Sequence, residues 1–162
     1  MPVNPISRMA DLLFAGAICL GSMPAQPVRA APPGGDACAM LTASQVSMVL
    51  GLALSEGEHP IASSLLLCSW TAPAKPHAGL KKVSVSLMTE RAFEVGKTAL
   101  GDIAVIPLDA VGEDAYYTDA RGLGTRLAVK NGSVCLQIRV EGFAPGKAKA
   151  LEKALALQML DR

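Results

Sequence analysis

Cysteines are the first residues of this chain whose type could support chemistry. Cys38, Cys68 and Cys135 all follow an N-terminal segment that predicts export, and cysteines in an oxidising compartment are candidates for disulfides first. We predict that Cys38 pairs with Cys68, with two buried free thiols as the alternative. In the chain-entropy model a bridge closing a loop of this length stabilises the fold by roughly 3 to 4 kcal/mol. Cys135 is then left unpaired.

Cys135 is therefore the candidate free thiol. It follows the dipeptide Asn131-Gly132, which predicts a hairpin that sets Cys135 opposite Ala128. This register puts the thiol on the polar face of the sheet, among cations that favour a thiolate: Arg126, Lys130 and Arg139. We expect an accessible thiol and, from it, a Cys135-linked dimer. The alternative is an inert residue covered by a neighbouring element, because cysteine is often buried.

Hydrolysis and zinc binding commonly rely on histidine, and the chain has only His59 and His77. A serine or cysteine nucleophile needs a nearby base, and no Gly-x-Ser-x-Gly motif is present. The histidines lie in proline-flanked loops away from the cysteines and there is no Cys-x-x-Cys, so zinc is not expected. We predict a protein that is not an enzyme, with no catalytic, metal or cofactor residues. A hydrolase whose site is assembled from scattered residues is the alternative.

An acidic set and a glycine pair are weaker candidates. Carboxylates at Glu113, Asp114 and Asp119 offer oxygen ligands for calcium. Their spacing is not that of an EF-hand loop, so a solvated turn is the favoured interpretation. Gly122 and Gly124 form an isolated glycine pair, which does not by itself predict a phosphate-binding loop.

Tyr116 and Tyr117 are the candidate contact residues. Adjacent residues of a strand point to opposite faces of the sheet. One tyrosine is therefore expected in the core and the other on the surface, and tyrosine is enriched in protein interfaces.

A helix over residues 43–50 is the first element that must position these residues. Thr42 and Gln45 have the spacing of a capping box, in which each side chain bonds to the backbone N–H of the other residue. Gly51 follows where a left-handed C-terminal residue is favoured. Apolar residues recur at helical spacing, so one face of this helix must be buried.

Alternating residues predict the strands. In residues 82–88 apolar side chains alternate with a lysine and two serines, the pattern of a sheet with one buried face. Thr89 then caps a short helix that turns Phe93 inward. The next strand, residues 102–106, runs to Pro107, which favours an edge or a strand end.

The strongest local signal is the Asn131-Gly132 dipeptide between two alternating runs, residues 125–130 and 133–140. It predicts a type I′ turn, in which both central residues have positive φ. One face of the hairpin is then apolar and consists of Leu127, Val129, Val134, Leu136, Ile138 and Val140.

The last helix opens at Pro145, whose missing N–H costs nothing at a first helical position. Its apolar stripe is made of Ala148, Leu151, Leu155 and Met159. The predicted fold class is α+β: an antiparallel sheet packed by a capped N-terminal helix, a short middle helix and a long C-terminal helix. If there is space between the sheet and this helix, it would form an apolar ligand pocket lined by Leu151, Leu155 and Met159.

Residues 1–30 predict a signal peptide. Arg8 supplies a positive start, residues 12–20 form the apolar run, and small residues precede cleavage near Ala30. The run is too short for a permanent membrane span, which needs about 20 apolar residues. The residues before Cys19 do not form a lipobox, so lipidation is not expected.

After cleavage we expect a flexible linker over residues 31–37 and a single α+β domain over residues 38–162, in the periplasm or secreted. Cleavage removes Arg8, Arg29 and Asp11, so the 15 basic and 14 acidic residues of the chain become 13 of each. This balance offers no electrostatic footprint for nucleic acid.

An ordered set of motifs covers nearly the whole exported part. It comprises Cys-x-x-Leu-Thr-x-x-x-Val-x-x-x-Leu-Gly at 38–51, Cys-Ser-Trp at 68–70, Val-Gly-Glu-Asp-Ala-Tyr-Tyr at 111–117, Val-Lys-Asn-Gly at 129–132 and a closing Lys/Ala/Leu helix. The set resembles a group of small exported bacterial proteins of unknown function, similar in pattern to actinobacterial lipoprotein domains of unknown function. The resemblance implies two paired framework cysteines and an α/β domain outside the cytoplasm, with no established catalytic residues. The missing lipobox favours a soluble periplasmic protein over a tethered one.

These observations together predict an exported, noncatalytic binding or accessory module. Its expected partner is an unknown protein or a small apolar ligand. Two alternatives remain: a carrier of a small apolar ligand that uses the pocket under the C-terminal helix, and the hydrolase described above.

Overall fold

The computed structural model of the chain describes residues 35–73, 79–98 and 101–161. The signal peptide expected over residues 1–30, with cleavage near Ala30, lies outside these residues, and so does His77. Of the helices described, none combines the length and the apolar character needed to cross a bilayer.

The predicted linker over residues 31–37 extends too far toward the domain. Asp36 accepts a hydrogen bond from the backbone N–H of Cys38 at 2.7 Å and caps a 3-10 turn over Ala37–Ala39. Ala37 is fully buried, and its N–H donates to the carbonyl of Leu65. Asp36 and Ala37 therefore belong to the folded part, because their backbone and side chains are held by it; residues 31–34 lie outside the described residues.

One sheet forms the centre of the described structure. Its strands are β1 (Leu67–Thr71), β2 (Lys82–Met88), β3 (Ile103–Pro107), β4 (Asp114–Ala120), β5 (Gly124–Asn131) and β6 (Val134–Glu141). They lie in the order β1-β2-β6-β5-β4-β3, and every neighbouring pair is antiparallel. Among the described strands, β2 and β6 are the only neighbours in the sheet that are not consecutive in the chain.

Three described helices pack on this sheet: α1 (Ala43–Leu50), α2 (Glu90–Gly96) and α3 (Pro145–Leu160). On one face α3 packs against β5 and β6 and also contacts α1. On the other face α2 packs against β5 and β6, where Phe93 is buried with Tyr116, Ala128 and Cys135. The predicted α+β class, with an antiparallel sheet and three helices, is confirmed.

The predicted helix caps are present. The Thr42 hydroxyl accepts from the backbone N–H of Gln45 at 3.2 Å, and the Gln45 side chain accepts from the N–H of Thr42 at 2.9 Å. Gly51 ends α1 in the left-handed conformation, with φ of 70°. Thr89 caps α2, and Phe93 is fully buried as expected.

The turn between β5 and β6 differs from the prediction. Asn131 pairs with Val134, so the two-residue loop is Gly132-Ser133 and not Asn131-Gly132. Gly132 has φ of 58°, whereas Ser133 is not among the residues with positive φ. Glycine at the first central position is the arrangement of a type II′ turn, and the type I′ prediction is wrong.

This turn moves the register of the hairpin by two residues. Ala128 lies opposite Gln137, where Cys135 was expected, and Cys135 lies opposite Lys130. Because side chains alternate with a period of two, an even shift leaves each side chain on its predicted face.

The main core lies between the sheet and the two helices α1 and α3. Trp70, Leu127, Ile138 and Leu155 are fully buried there. The predicted disulfide between Cys38 and Cys68 is present and ties the segment before α1 to β1.

The two edges of the sheet have different surroundings. Residues 55–58 run along the outer side of β1, where Glu58 and Ser69 exchange backbone hydrogen bonds of 3.0 and 2.9 Å. At the opposite edge no described strand pairs with the outer side of β3, and Ile103 and Ile106 are 38% and 41% exposed.

Gly57 allows residues 55–58 to lie against the disulfide. A Cβ atom at this position would lie 2.8 Å from Trp70 Nε1 and 2.9 Å from Cys68 Sγ. Both neighbours are fully buried and cannot move without disturbing the core. This position therefore needs glycine for lack of space.

We expect Gly57→Ala to lower the free energy of unfolding by about 1 to 3 kcal/mol, because the added methyl group overpacks the region around Trp70. Urea unfolding followed by tryptophan fluorescence measures this. Gly79→Ala is the matched control, because a Cβ atom there meets nothing within 4 Å. Equal stabilities of the two variants would contradict the close packing at Gly57.

Candidate functional site

Part of the sheet face that carries α2 is open, because the seven residues of α2 cover only one end of it. The uncovered part forms a groove of about 350 Å³, which we call the open-face groove. This volume is at the lower end of the range for small-ligand sites. The groove is lined by Leu67, Lys82, Ser84, Ser86, Arg126, Gln137, Arg139 and Glu141.

Positive charge predominates in the open-face groove. Arg139 Nη2 donates to Glu141 Oε1 at 3.0 Å and to the carbonyl of Leu123 at 2.9 Å. Within the described part of the chain, Lys82 and Arg126 have no ion-pair partner. The groove therefore presents three cations and one carboxylate, an excess of positive charge, beside hydroxyl and amide groups.

The alternation of side chains along β2 and β6 places the polar residues of the open-face groove on one face of the sheet. On β2 the predicted outward residues Ser84 and Ser86 stand directly opposite Arg139 and Gln137 of β6. Their apolar neighbours point to the other face, where Val83 and Val85 are fully buried. The sequence predicted the polar face of β2 and, separately, a polar face of the hairpin that includes Arg126 and Arg139. It did not predict that β2 pairs with β6 and brings the two faces together in one groove.

The ladder between β5 and β6 stops at the floor of the groove. Its last pair is Leu127 with Ile138; in the same register Arg126 would face Arg139 and Thr125 would face Val140, but neither pair forms. Two like charges directly opposite each other destabilise a sheet. We call this opening the β5–β6 gap.

Glu152 of α3 fills the β5–β6 gap from the opposite face. Its Oε1 accepts from the backbone N–H of Val140 at 3.1 Å, and the Thr125 hydroxyl donates to its Oε2 at 3.2 Å. The carboxylate thus replaces the missing strand-to-strand contacts. Glu152 is fully buried, so these hydrogen bonds stand in for water.

Burial raises the pKa of Glu152 to about 7, because a charged carboxylate is costly away from water. The hydrogen bonds from Val140 and Thr125 and the positive charges of Lys149 and Arg139 oppose this rise. Arg139, whose influence is the smallest of these, also lines the open-face groove.

Sequence reasoning missed Glu152. It lies four residues after Ala148 and three before Leu155, in the middle of the stripe expected to face the sheet. An acid at such a position was the available signal. Of the predicted stripe, Ala148, Leu155 and Met159 are buried and Leu151 is partly buried. Because Leu155 and Met159 are packed in the core, the apolar-ligand carrier hypothesis gains no support from them.

A second group of chemically active residues lies beside the disulfide. His59 Nε2 is 3.3 Å from Asp36 Oδ1, and His59 Nδ1 is 3.7 Å from Cys38 Sγ. Among the described residues this is the one set of three or more acids, histidines and cysteines close enough to hold a metal ion. Sequence reasoning did not place His59 near the cysteines, because the residues between them form no recognised metal motif.

Cys135 is unpaired but is not accessible. It is 4% exposed, because α2 crosses over it and buries it with Phe93 and Tyr116. Burial raises the pKa of the Cys135 thiol, against the opposing charge of Lys130. The predicted accessible thiolate is wrong, and its burial removes the basis for a Cys135-linked dimer.

Neither tyrosine is a surface contact residue. Tyr116 donates to the carbonyl of Phe93 under α2, and Tyr117 donates to the carbonyl of Lys149 under α3. The two do point to opposite faces, but both faces are covered there, and the exposures are 2% and 7%. Burial, with a smaller effect from Glu152, raises the pKa of Tyr117 to about 12.

The acidic residues considered for calcium are not brought together. Asp114 pairs with Lys97 at the start of β4, and Asp119 pairs with Lys149 near its end, at 2.9 Å. Glu113 is exposed. Ion pairs with lysines therefore use two of the three carboxylates.

Comparison of the chain with family models, with curated proteins and with solved structures finds no match. The resemblance to exported bacterial proteins of unknown function stays a prediction from the motifs.

We expect Glu152 to make stability fall as pH rises. The folded-state pKa of Glu152 lies above the ordinary glutamate value of 4.5, so the folded state holds the proton more tightly than the unfolded state. The resulting stabilisation is complete below about pH 4.5 and is lost as pH rises through about 7, a change of about 3 kcal/mol.

Urea unfolding of wild type and Glu152→Gln between pH 4.5 and 8 tests this. The variant keeps a hydrogen-bonding side chain without a charge, so its stability relative to wild type should increase as pH rises. Glu113→Gln, which changes an exposed glutamate, is the control. A wild type and a Glu152→Gln variant with parallel pH profiles would contradict the assignment.

Proposed function

We propose that the protein is an exported, noncatalytic binding module whose ligand carries a carboxylate or another oxyanion and occupies the open-face groove. The observation behind this proposal is that Lys82 and Arg126 line a groove of about 350 Å³ without an ion-pair partner among the described residues. This ligand class replaces the small apolar ligand expected from the sequence.

The β5–β6 gap supports an oxyanion as the ligand. Arg126 and Arg139 line the groove from the two strands that border the gap, and Arg139 is paired with Glu141 at 3.0 Å. Guanidinium groups form short, charge-assisted hydrogen bonds to carboxylates and phosphates. An oxyanion between the two arginines would offset their mutual repulsion. Ser84, Ser86 and Gln137 would bond to the polar remainder of the ligand.

The composition of the groove supports a noncatalytic role. Its serines, Ser84 and Ser86, could act as nucleophiles only beside a base. No histidine or cysteine lines the groove, and its single acid, Glu141, is bonded to Arg139. The residues of the open-face groove are therefore suited to holding a ligand and not to transforming it.

Export is supported by the disulfide. The Cys38–Cys68 bridge is the kind of cross-link that forms and persists in oxidising compartments. The signal peptide predicted over residues 1–30 would bring the chain to such a compartment.

We expect citrate, inorganic phosphate or a galacturonate dimer to shift the backbone amide resonances of β2 and β6 at the groove. Arg126→Gln should weaken the binding of an active anion about tenfold, because one charge-assisted contact is worth roughly 1.5 to 3 kcal/mol. Binding is measured by NMR titration at low salt, where surface charges are least screened.

Arg91→Gln is the matched control, because it removes an exposed arginine of α2 that does not line the groove. Its affinity should stay within about twofold of wild type. The proposal fails if none of the three anions shifts these resonances, or if Arg126→Gln binds as tightly as wild type.

A further inference from the structure

The residues beside the disulfide form a second candidate site, separate from the open-face groove. We call Asp36, Cys38, His59 and Cys68 the Asp36–His59 cluster. Asp36 caps the 3-10 turn before α1 and Cys38 lies within that turn. His59 lies in the connection to β1, and Cys68 lies on β1. One potential ligand atom from each of Asp36, Cys38 and His59 lies within 4.8 Å of the other two.

The hydrogen bonds of His59 determine which of its nitrogens faces a ligand. Nδ1 is 2.9 Å from the carbonyl oxygen of Leu67, which can only accept, so Nδ1 carries the hydrogen. The free lone pair of a neutral His59 is then on Nε2. A histidine held by a backbone carbonyl in this way is the usual arrangement behind a metal-binding imidazole.

Two acceptors face each other on the other side of the ring. His59 Nε2 lies 3.3 Å from Asp36 Oδ1, and Oδ1 is fixed by the N–H of Cys38 at 2.7 Å. A lone pair and a carboxylate at this distance repel unless a cation lies between them. A metal ion bound by both atoms would remove this repulsion.

The distance between His59 Nε2 and Asp36 Oδ1 fits a metal of zinc type. Bonds of about 2.0 Å to nitrogen and oxygen in a tetrahedral site separate these ligands by roughly 3.3 Å, close to the observed Nε2 to Oδ1 distance. The side chains of His59 and Asp36 are 22% and 39% exposed, so an ion can reach them from solvent. Two ligands alone hold such an ion weakly, and the disulfide sulfurs are poor donors.

We propose that reduction of the Cys38–Cys68 disulfide converts the Asp36–His59 cluster into a site for one zinc-type divalent cation. A dithiol reductant breaks the S–S bond, forms its own disulfide, and passes two electrons and two protons to the two sulfurs. The metal then displaces both thiol protons to solvent and binds two thiolates, His59 Nε2 and the Asp36 carboxylate. This set of two sulfurs, one nitrogen and one oxygen satisfies tetrahedral coordination.

The metal site and the disulfide use the same two sulfur atoms, so only one of them can be present at a time. Each cross-links the segment before α1 to β1. The metal would also hold the connection between α1 and β1, because it binds His59. The fold is therefore held at the same point in both redox states, by a covalent bond in one and by coordination in the other.

The test uses the chain in a Cys135→Ser background, reduced with a phosphine that does not compete for metal. Cobalt(II) serves as the probe, because thiolate ligands give it charge-transfer absorption in the near ultraviolet and tetrahedral geometry gives it visible bands. We expect one cobalt per reduced chain and much weaker binding by the oxidised chain. The melting temperature of the reduced chain should rise with cobalt concentration.

His59→Gln should weaken cobalt binding at least tenfold, and Asp36→Asn should weaken it as well. Glu58→Gln, which alters an exposed acid next to His59 in the chain, is the control and should bind as the parent does. Circular dichroism follows folding in every sample. If reduction unfolds the chain, cobalt should restore the folded spectrum.

The proposal is wrong if the reduced chain binds no cobalt. It is also wrong if His59→Gln binds as tightly as the parent, because two thiols alone would then account for the binding.

Discussion

The contact between Glu152 and the β5–β6 gap links the parts of this structure. Strands β5 and β6 cannot continue their ladder without setting Arg126 against Arg139, and a sheet opened at that point would leave the Val140 N–H buried and unpaired. Glu152 supplies the acceptor from α3. A specific polar contact, in addition to the apolar stripe, thereby fixes the position of α3 on the sheet. The two arginines remain on the opposite face, where they form one wall of the open-face groove.

The parts of the fold that depend on neighbouring residues in the chain could be predicted from the sequence. The cap of α1 needs only Thr42, Gln45 and Gly51, and all three act as expected. The alternation on β2 likewise predicts which side chains are buried, because the period of a strand is a local property. Even the error in the β5–β6 turn did not disturb the faces, because the shift of two residues preserved the alternation.

The candidate sites depend on contacts between distant residues and could not be predicted in this way. Alternation puts Tyr116 and Tyr117 on opposite faces but does not reveal that α2 and α3 cover both. The same short helix buries Cys135 and, by ending where it does, leaves the groove open. His59 reaches Asp36 only because the connection before β1 folds back over the disulfide. Glu152 had a local signal, an acid within an apolar stripe, but its partners lie on β5 and β6.

The unequal edges of the sheet limit how two copies of the chain could associate. A strand edge offers unpaired N–H and C=O groups to another chain, and this template is the usual starting point of extended β-assemblies. Residues 55–58 already occupy the outer side of β1, so among the described strands β3 is the one whose outer side is open to another strand. Pro107 withholds one donor there. Pairing of two β3 strands would use the open edge of both copies, so growth through this edge would end at two chains and would not continue into a fibre.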